Sequence, residues 1–170
     1  ILVARNIQRL KSIVGDLKVR NPKVKVDCYS VDFMDATAIQ NLADSITKEG
    51  MIDVLLVAHG VLPDQNEALE KIWLIRESIE INAISPVLFA EAFAGHMISA
   101  NSGSIALIGS VAGDRGRKSN YVYGSAKSLV EHYIQGLRHR FAGTDVDAII
   151  IKPGPTNTPM TAHLNLEGQS

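Results

Sequence analysis

The 170-residue sequence contains very little cysteine and no marked excess of charge of either sign. Its single cysteine, Cys28, excludes an internal disulfide framework, and the alternating stretch around it predicts a reduced core thiol. The 17 basic and 18 acidic side chains give a formal net charge of −1. This balance argues against nucleic acid or an anionic membrane surface as a partner.

Long apolar runs are missing as well. No run approaches the roughly 20 residues that span a bilayer, and no charged segment followed by an apolar one predicts a signal peptide. We therefore expect a cytoplasmic protein without a membrane span. The sequence also lacks repeats, low-complexity tracts and a linker. A composition of 46% hydrophobic and 21% charged residues is typical of a single globular domain with one core.

Short apolar runs instead alternate with longer amphipathic segments. The predicted strands lie in "ILVA", "VKVDCYSV", "IDVLLVAHG", "SIALIGS" and "VDAIIIK". Helices are predicted over residues 6–20, from the N-cap Asp35 to Gly50, over 66–98 with a bend or a shifted start at Pro86, and over 121–142. Strands separated by such helices predict right-handed crossovers and a parallel sheet, hence a doubly wound α/β sandwich.

Sheets of this class bind ligands at the carboxyl ends of their strands. Five separate segments place polar residues or glycine there, which predicts a ligand site along one edge of the sheet. These residues are Arg5, Asp32, His59 with Gly60, Ser110, and Pro153 with Gly154.

Tyr123 and Lys127 lie one helical turn apart and therefore share a helix face. A phenol with an ordinary pKa near 10 exchanges protons poorly at neutral pH, but a nearby ammonium favours the phenolate and lowers that pKa. Ser110 ends the preceding buried strand, where its hydroxyl is placed to bond a substrate oxygen. The three residues predict proton transfer at a carbonyl coupled to hydride transfer. The alternative interpretation is a surface lysine beside a half-buried tyrosine.

Four segments, "GSVAG", "YVYGSAK", "IEINAISP" and "IKPGPTNTPM", resemble motifs of the short-chain dehydrogenase/reductase family, and the resemblance covers nearly the whole chain. It implies one Rossmann-like NAD(P)-binding domain over residues 1–170, a three-layer sandwich. By this resemblance Tyr123 is the proton donor in reduction, and Lys127 lowers its pKa and contacts the nicotinamide ribose. Ser110 would polarise the substrate carbonyl, and Asn82 would support a proton-relay water. Taken alone, Asn82 is a helix-interior residue bonding nearby backbone.

The resemblance also bears on the cofactor. An acidic residue at the end of the family's second strand favours NAD, and a basic residue favours NADP. "ILVARN" places Arg5 there, so NADP(H) is favoured over NAD(H), unless Arg5 merely solvates the strand end. Asp32 matches the residue that contacts the adenine amino group, or is an ordinary loop acid. The other expected cofactor contacts are Ala58, Gly60, Pro153, Gly154 and Thr158, and no metal ligands are predicted.

The sequence departs from the family pattern in two places. The glycine-rich loop that cradles the pyrophosphate belongs before residue 1. We therefore expect the chain to lack its first strand with that loop, and its C-terminal strand and helix, and to bind the cofactor poorly as given. "VAHG", residues 57–60, stands where the family usually has N-N-A-G. Val57 and Ala58 cannot make the polar contacts of two asparagines, whereas His59 either faces the ligand or fills the loop.

The segments "VAHG", "GDRGRKSNYVYGSAK" and "PGPTNTPMTAHL" resemble a narrower branch, the decaprenylphosphoryl-2-keto-pentose reductases, which reduce a keto sugar carried on a polyprenyl phosphate. Arg115, Arg117 and Lys118 between Ser110 and Tyr123 would form a cationic rim for that phosphate. The alternative is an ordinary solvated loop.

The function predicted is an NADP(H)-dependent short-chain oxidoreductase acting on a carbonyl or a secondary alcohol. Two alternatives stay open: an NADP-dependent sugar epimerase or dehydratase, and a non-catalytic cofactor-binding protein of the same fold. The helices over 66–98 and 121–142 carry apolar residues on more than one side, and in the family they pair across a two-fold axis. A homodimer or homotetramer is therefore expected.

Overall fold

Strands and helices alternate along residues 1–161, the part of the chain that this computed structural model describes. The strands are β1 (Leu2–Ala4), β2 (Cys28–Ser30), β3 (Val54–Val57), β4 (Gly103–Ile108) and β5 (Val146–Ile151). The helices are α1 (Ile7–Arg20), α2 (Ala36–Glu49), α3 (Gln65–Glu70), α4 (Ile72–Ile79), α5 (Ser85–Ala100) and α6 (Tyr121–Phe141). A π-helical turn, Glu80–Ile84, joins α4 to α5, and a 3₁₀ turn, Val111–Gly113, follows β4.

The paired strands are all parallel and form two sheets, β1–β2 and β3–β4–β5. In the larger sheet Leu55 pairs with Ile105, and Ile105 pairs with Ala148. The predicted class, a Rossmann-like parallel α/β fold in a single domain, is confirmed. Within the described residues β1 and β3 do not pair, so each keeps one free edge. Val54 and Leu56, which share one face of β3, are exposed by 61% and 56%.

The core lies where α5 packs against β3 and β4 and where α6 packs against β5. Ile105 and Leu107 of β4, together with Val130 and Ile134 of α6, are completely buried. This packing fixes α6 relative to the carboxyl ends of β3, β4 and β5. It thereby positions the first turns of α6, which carry the predicted Tyr–Lys pair.

The helix predicted over 66–98 is divided. α3 ends before Lys71, and the π-helical turn interrupts the pattern directly before α5. Pro86 lies in the first turn of α5, directly after the π-helical turn, and the two residues before it keep helical dihedral angles. The helical backbone therefore continues through this position, and the irregularity predicted at Pro86 is the π-helical turn before it. Trp73, expected on the apolar face, is 61% exposed on α4. The predicted N-cap Asp35 is confirmed, since its carboxylate accepts the Ala38 N–H at 2.9 Å.

The first two strands are less buried than the sequence suggested. The strand expected across "VKVDCYSV" is only Cys28–Ser30, and Cys28 is a half-buried free thiol instead of a core residue. On α1, Leu10 is buried but Ile13 is 48% exposed. The reason is that α1 packs on a two-stranded sheet, which offers little apolar surface.

One helical stretch among residues 1–161, Ile72–Ala100, meets the length and apolar composition of a membrane span. Its 29 residues include polar positions, so no continuous apolar run marks it in the sequence. In the structure, 61% of its most apolar 18-residue segment is buried inside the protein, as in the core helix of a globular domain.

Two glycines of α6 make a matched test of this packing. A Cβ on Gly124 would lie 2.6 Å from the Ala112 carbonyl oxygen, whereas one on Gly136 would meet nothing within 4 Å. We expect Gly124→Ala to lower the free energy of unfolding by about 1–3 kcal/mol through overpacking. Gly136→Ala should raise it by up to about 1 kcal/mol through helix propensity. Urea denaturation of both variants measures this, and equal effects would contradict the close contact at Gly124.

Candidate active site

The first turns of α6 face a cavity of about 580 Å³ that contains Tyr123 and Lys127. Its wall also includes Ala58–Gly60 after β3, Ile108–Ser110 after β4, and Pro153 with Gly154 after β5. The predicted convergence of segments at the carboxyl ends of the strands is therefore present for these three strands. Arg5 and Asp32, which follow β1 and β2, do not line the cavity.

Tyr123 is half-buried between Ser110 and Lys127. Burial raises the pKa of its hydroxyl above the ordinary value, and interaction with the Ser110 side chain lowers that pKa by a smaller amount. The expected lowering by Lys127 is absent, because the Lys127 ammonium lies 5.7 Å from the centre of the Tyr123 ring. Tyr123 and Lys127 are adjacent, as their spacing predicts, but burial and not the lysine charge determines the direction of the pKa shift of Tyr123.

Lys127 is 3% exposed, and its Nζ donates to the Ile108 carbonyl oxygen at 2.8 Å. Burial lowers the pKa of this ammonium to about 8. The side chain therefore ties α6 to the last residue of β4 and places a cation under the cavity. A surface lysine, the alternative from sequence, is not what the structure shows.

Ser110 is fixed by the backbone that follows it. Its Oγ accepts the Ala112 N–H at 3.1 Å and so caps the 3₁₀ turn Val111–Gly113. That turn lies directly on α6, since a Cβ on Gly113 would come within 2.9 Å of the Ser128 nitrogen. Glycine at this contact lets the turn approach the helix, which brings Ser110 next to Tyr123.

Asn82 is completely buried in the π-helical turn. Its Nδ2 donates to the Ser78 carbonyl oxygen at 2.9 Å and to Ser78 Oγ at 3.2 Å, while its Oδ1 accepts the Val61 N–H at 2.9 Å. The bond to Ser78 is the local backbone bond that the sequence alone suggested. The bond to Val61 is long-range and holds the loop after β3, where Gly60 approaches so closely that a Cβ would lie 2.8 Å from Asn82 Oδ1.

His59 fills the space beneath the same loop. Its Nε2 lies 2.9 Å from Ser85 Oγ, and its ring centre lies 4.4 Å from that of Phe33 and 5.7 Å from that of Phe89. Burial, followed by the positive charges of Lys127 and Arg5, lowers the pKa of His59 to about 4. A neutral imidazole packed between two phenylalanines supports the loop-filling interpretation.

This imidazole makes stability sensitive to acid. Between pH 6.5 and about 4 the unfolded chain binds a proton at His59 that the folded chain does not. The free energy of unfolding should therefore fall over this window, by on the order of 2 kcal/mol from His59. We expect His59→Gln to flatten that fall in urea denaturation, and His132→Gln, at an exposed histidine of α6, to leave it unchanged. An identical fall in His59→Gln would contradict the assignment.

The other predicted site residues divide into two groups. Ala58, Gly60, Pro153, Gly154, Thr158 and Arg117 line the cavity. Arg115 and Lys118 are exposed outside it, as a solvated loop would place them. Asp32 accepts the Met34 N–H at 2.9 Å, which is the local bond of a loop acid. His163 and Leu164, to which the sequence assigned no role, lie outside the described residues.

Sequence reasoning missed Gln65, Asn120, Met160 and Thr161, which also line the cavity. It also missed an ion group in which Lys152 contacts Asp114 and Glu131. No local pattern marks Gln65 or the ion group, because Gln65 bonds Val122 across 57 positions and Lys152 contacts residues 38 and 21 positions away. Among residues 1–161 no cluster of three or more histidine, cysteine or acidic side chains is placed to hold a metal ion.

Comparison with known proteins matches residues 1–168 to the family described as short chain dehydrogenase. An uncharacterized oxidoreductase of Mycobacterium tuberculosis is 32% identical over 155 residues, which are 91% of this chain and 62% of the relative. The 3-oxoacyl-[acyl-carrier-protein] reductase of Bos taurus is 26% identical, over 98% of this chain and 68% of that protein.

The fold is similar to that of a gluconate 5-dehydrogenase from Burkholderia cenocepacia, solved in complex with NADP and tartrate. The TM-score is 0.84 at 22% identity, covering 96% of this chain and 64% of that one. This chain thus spans somewhat under two thirds of the length of several of these proteins. Their names support an oxidoreductase family but give no support for the decaprenylphosphoryl branch. From the family match over residues 1–168, the chain belongs to the short-chain dehydrogenase family.

Proposed function

We propose that the cavity is the active site of an NADP(H)-dependent oxidoreductase that reduces a carbonyl or oxidises a secondary alcohol. The observation that carries this proposal is the placement of Tyr123, Ser110 and Lys127 around one cavity at the carboxyl ends of three parallel strands. A protein that only binds a nucleotide has no need of a half-buried phenol and a buried ammonium at the same cavity.

The cavity wall suits a dinucleotide. A Cβ on Gly60 would meet Asn82 Oδ1 at 2.8 Å and Lys127 Nζ at 3.9 Å, so glycine lets the loop after β3 lie against Asn82 beside the cavity. Gly60, Pro153, Gly154 and Thr158 would hold the cofactor, and Lys127 would bond its ribose. When bound, the nicotinamide supplies or accepts the hydride.

The protein side chains would then donate the proton and restore it. In reduction the Tyr123 hydroxyl gives its proton to the substrate oxygen, and Ser110 bonds that same oxygen and polarises the carbonyl. The Lys127 ammonium stabilises the phenolate that remains, and in the proposed relay solvent restores the proton through a water held near Asn82. Because burial raises the pKa of Tyr123 in the free protein, this stabilisation depends on the Lys127 ammonium turning from the Ile108 carbonyl towards the bound ribose and phenolate.

We extend the proposal to a phosphate-binding strand. The described residues contain no glycine-rich turn at a strand–helix junction, yet β1 and β3 each keep an unpaired edge. Val54 and Leu56 are exposed on one face of β3 and would provide an apolar surface for a helix that follows such a strand. In the full-length protein a strand ending in a glycine-rich loop would pair with these edges and complete the pyrophosphate site.

Arg5 tests the preference for NADP(H). It is exposed at the end of β1, and its positive charge contributes to the lowered pKa of His59 beside the cavity. We expect Arg5→Ala in the full-length protein to weaken NADPH binding about tenfold and to leave NADH binding nearly unchanged, because one charge-assisted phosphate contact is lost. Fluorescence titration measures both affinities, with Arg9→Ala on the exposed face of α1 as the control. Equal NADPH and NADH affinities in both proteins would reject the preference.

Turnover separates the candidate functions. A reductase consumes NADPH in proportion to the ketone reduced, across a panel of ketones and hydroxyketones. A sugar epimerase or dehydratase converts its substrate without net NADPH consumption, and a binding protein converts nothing. For the substrate we retain the polyprenyl-phosphate-linked keto sugar as the finer proposal, in which only Arg117 of the three rim cations lines the cavity. The homodimer or homotetramer stays a prediction.

A further inference from the structure

Gln65 has an unusual position for a long polar side chain. It is the first residue of α3, lines the cavity and is only 8% exposed. Its Oε1 accepts the Val122 N–H at 3.2 Å, across 57 positions of sequence. Within the described part of the chain its Nε2 is buried and has no hydrogen-bond partner. Because Oε1 must face an N–H donor, the amide orientation is fixed and Nε2 is a donor without an acceptor.

Asn120 lies two residues before Val122, next to the hydrogen bond that Gln65 makes with the Val122 N–H. It occupies the N-cap position of α6, where an asparagine side chain normally accepts an N–H of the first turn. Here the Asn120 side chain makes no capping bond, since Gln65 takes the Val122 N–H instead. Among residues 1–161 the Asn120 Oδ1 is likewise buried without a partner, and Asn120 also lines the cavity.

One unpaired donor and one unpaired acceptor therefore belong to two residues of the same cavity wall that contains Tyr123. Leaving such groups buried and unsatisfied is costly, and each one in a folded protein calls for a ligand, a water or a functional reason. A hydroxyl group is the simplest group that satisfies both, because it accepts from one neighbour and donates to the other. Both atoms are buried within the wall, so a ligand hydroxyl would reach them only if the two side chains turned towards the cavity.

We propose that Gln65 and Asn120 form a polar subsite that binds a hydroxyl group of the substrate, with Gln65 Nε2 donating to it and Asn120 Oδ1 accepting from it. The substrate class is then a hydroxylated carbonyl compound, or the polyol formed from it. This proposal rests on the proposed function, since it adds a specificity site to the same cavity. It assigns a role to two residues that sequence reasoning did not single out.

The test compares ring ketones with and without a hydroxyl group. Cyclohexanone is paired with 2-, 3- and 4-hydroxycyclohexanone, and both kcat/KM with NADPH and Kd from saturation-transfer NMR are measured on the full-length protein. The first variant, Gln65→Glu, keeps an acceptor for the Val122 N–H but replaces the donor with an acceptor oxygen. The second, Asn120→Ala, removes an acceptor that makes no capping bond, so the fold is expected to survive.

We expect at least one hydroxyketone to be preferred over cyclohexanone, and each variant to reduce that preference about tenfold in both measurements. Gln8→Glu and Asn66→Ala make the same chemical changes at exposed positions outside the cavity and should keep the preference. Ketone reduction with no hydroxyl preference, or with one that neither variant alters, would overturn the subsite while leaving the proposed function standing. Hydroxyketone binding that depends on both residues, without any turnover, would support the subsite and reject the reductase.

Discussion

Replacing Tyr123 with phenylalanine is expected to lower ketone turnover about a hundredfold to ten-thousandfold, the range for loss of a general acid. Tyr123 is the proposed proton donor, and its hydroxyl interacts with Ser110 in a cavity that also contains Lys127. Phenylalanine keeps the ring and its packing on α6, so the loss should fall on kcat with little change in the melting temperature. NADPH consumption at saturating ketone measures the effect in the full-length protein.

Tyr121→Phe is the matched control for this experiment. Tyr121 precedes Tyr123 by two residues on the same helix, is 42% exposed and does not line the cavity. Its replacement removes the same hydroxyl group from the same element and should leave kcat unchanged. Turnover by a folded Tyr123→Phe protein at the rate of Tyr121→Phe would remove Tyr123 from the chemistry and with it the proposed mechanism.

Replacing Asn82 with alanine is expected to produce the largest loss of stability. Asn82 is completely buried, and its side chain bonds the Val61 N–H, the Ser78 carbonyl oxygen and Ser78 Oγ. Alanine leaves the Val61 N–H without its acceptor and removes both donor bonds. We expect the free energy of unfolding to fall by about 3 kcal/mol, since each buried group left unpaired costs roughly 1–3 kcal/mol. Urea denaturation gives this value directly.

The same substitution should also loosen the loop after β3. Val61 follows Gly60, which lines the cavity, so nucleotide binding should weaken together with stability. Asn66→Ala, at an exposed position of α3, is the control and should change the free energy of unfolding by less than about 0.5 kcal/mol. A similarly small change in Asn82→Ala would show that its hydrogen bonds do not hold the loop.

Local spacing predicted the helical part of the site well. Tyr123 and Lys127 are one turn apart, so any helix through them brings both side chains to one face. The apolar run of β4 likewise predicted that Ser110 follows the carboxyl end of a strand. The order of strands and helices was sufficient for the parallel fold, because crossovers of this length permit few other arrangements.

What the sequence could not show depends on contacts between distant segments. The hydrogen bond between Gln65 and the backbone N–H of Val122 spans 57 positions, and no local pattern in the sequence of α3 predicts it. The π-helical turn that carries Asn82 has no simple residue signature either. The elevated pKa of Tyr123 follows from burial, which only the packed structure reveals, whereas the spacing to Lys127 suggested the opposite shift.

Transfer of deuterium from NADPH that carries deuterium at both positions of the nicotinamide C4 to the carbonyl carbon of a ketone tests the central claim most directly. Mass spectrometry of the alcohol made by the full-length protein should find one deuterium on that carbon, with wild type and Tyr121→Phe giving equal yields. Tyr123→Phe should give almost no product. An alcohol without deuterium, or equal deuterium transfer by Tyr123→Phe, would contradict hydride transfer assisted by this tyrosine in this cavity.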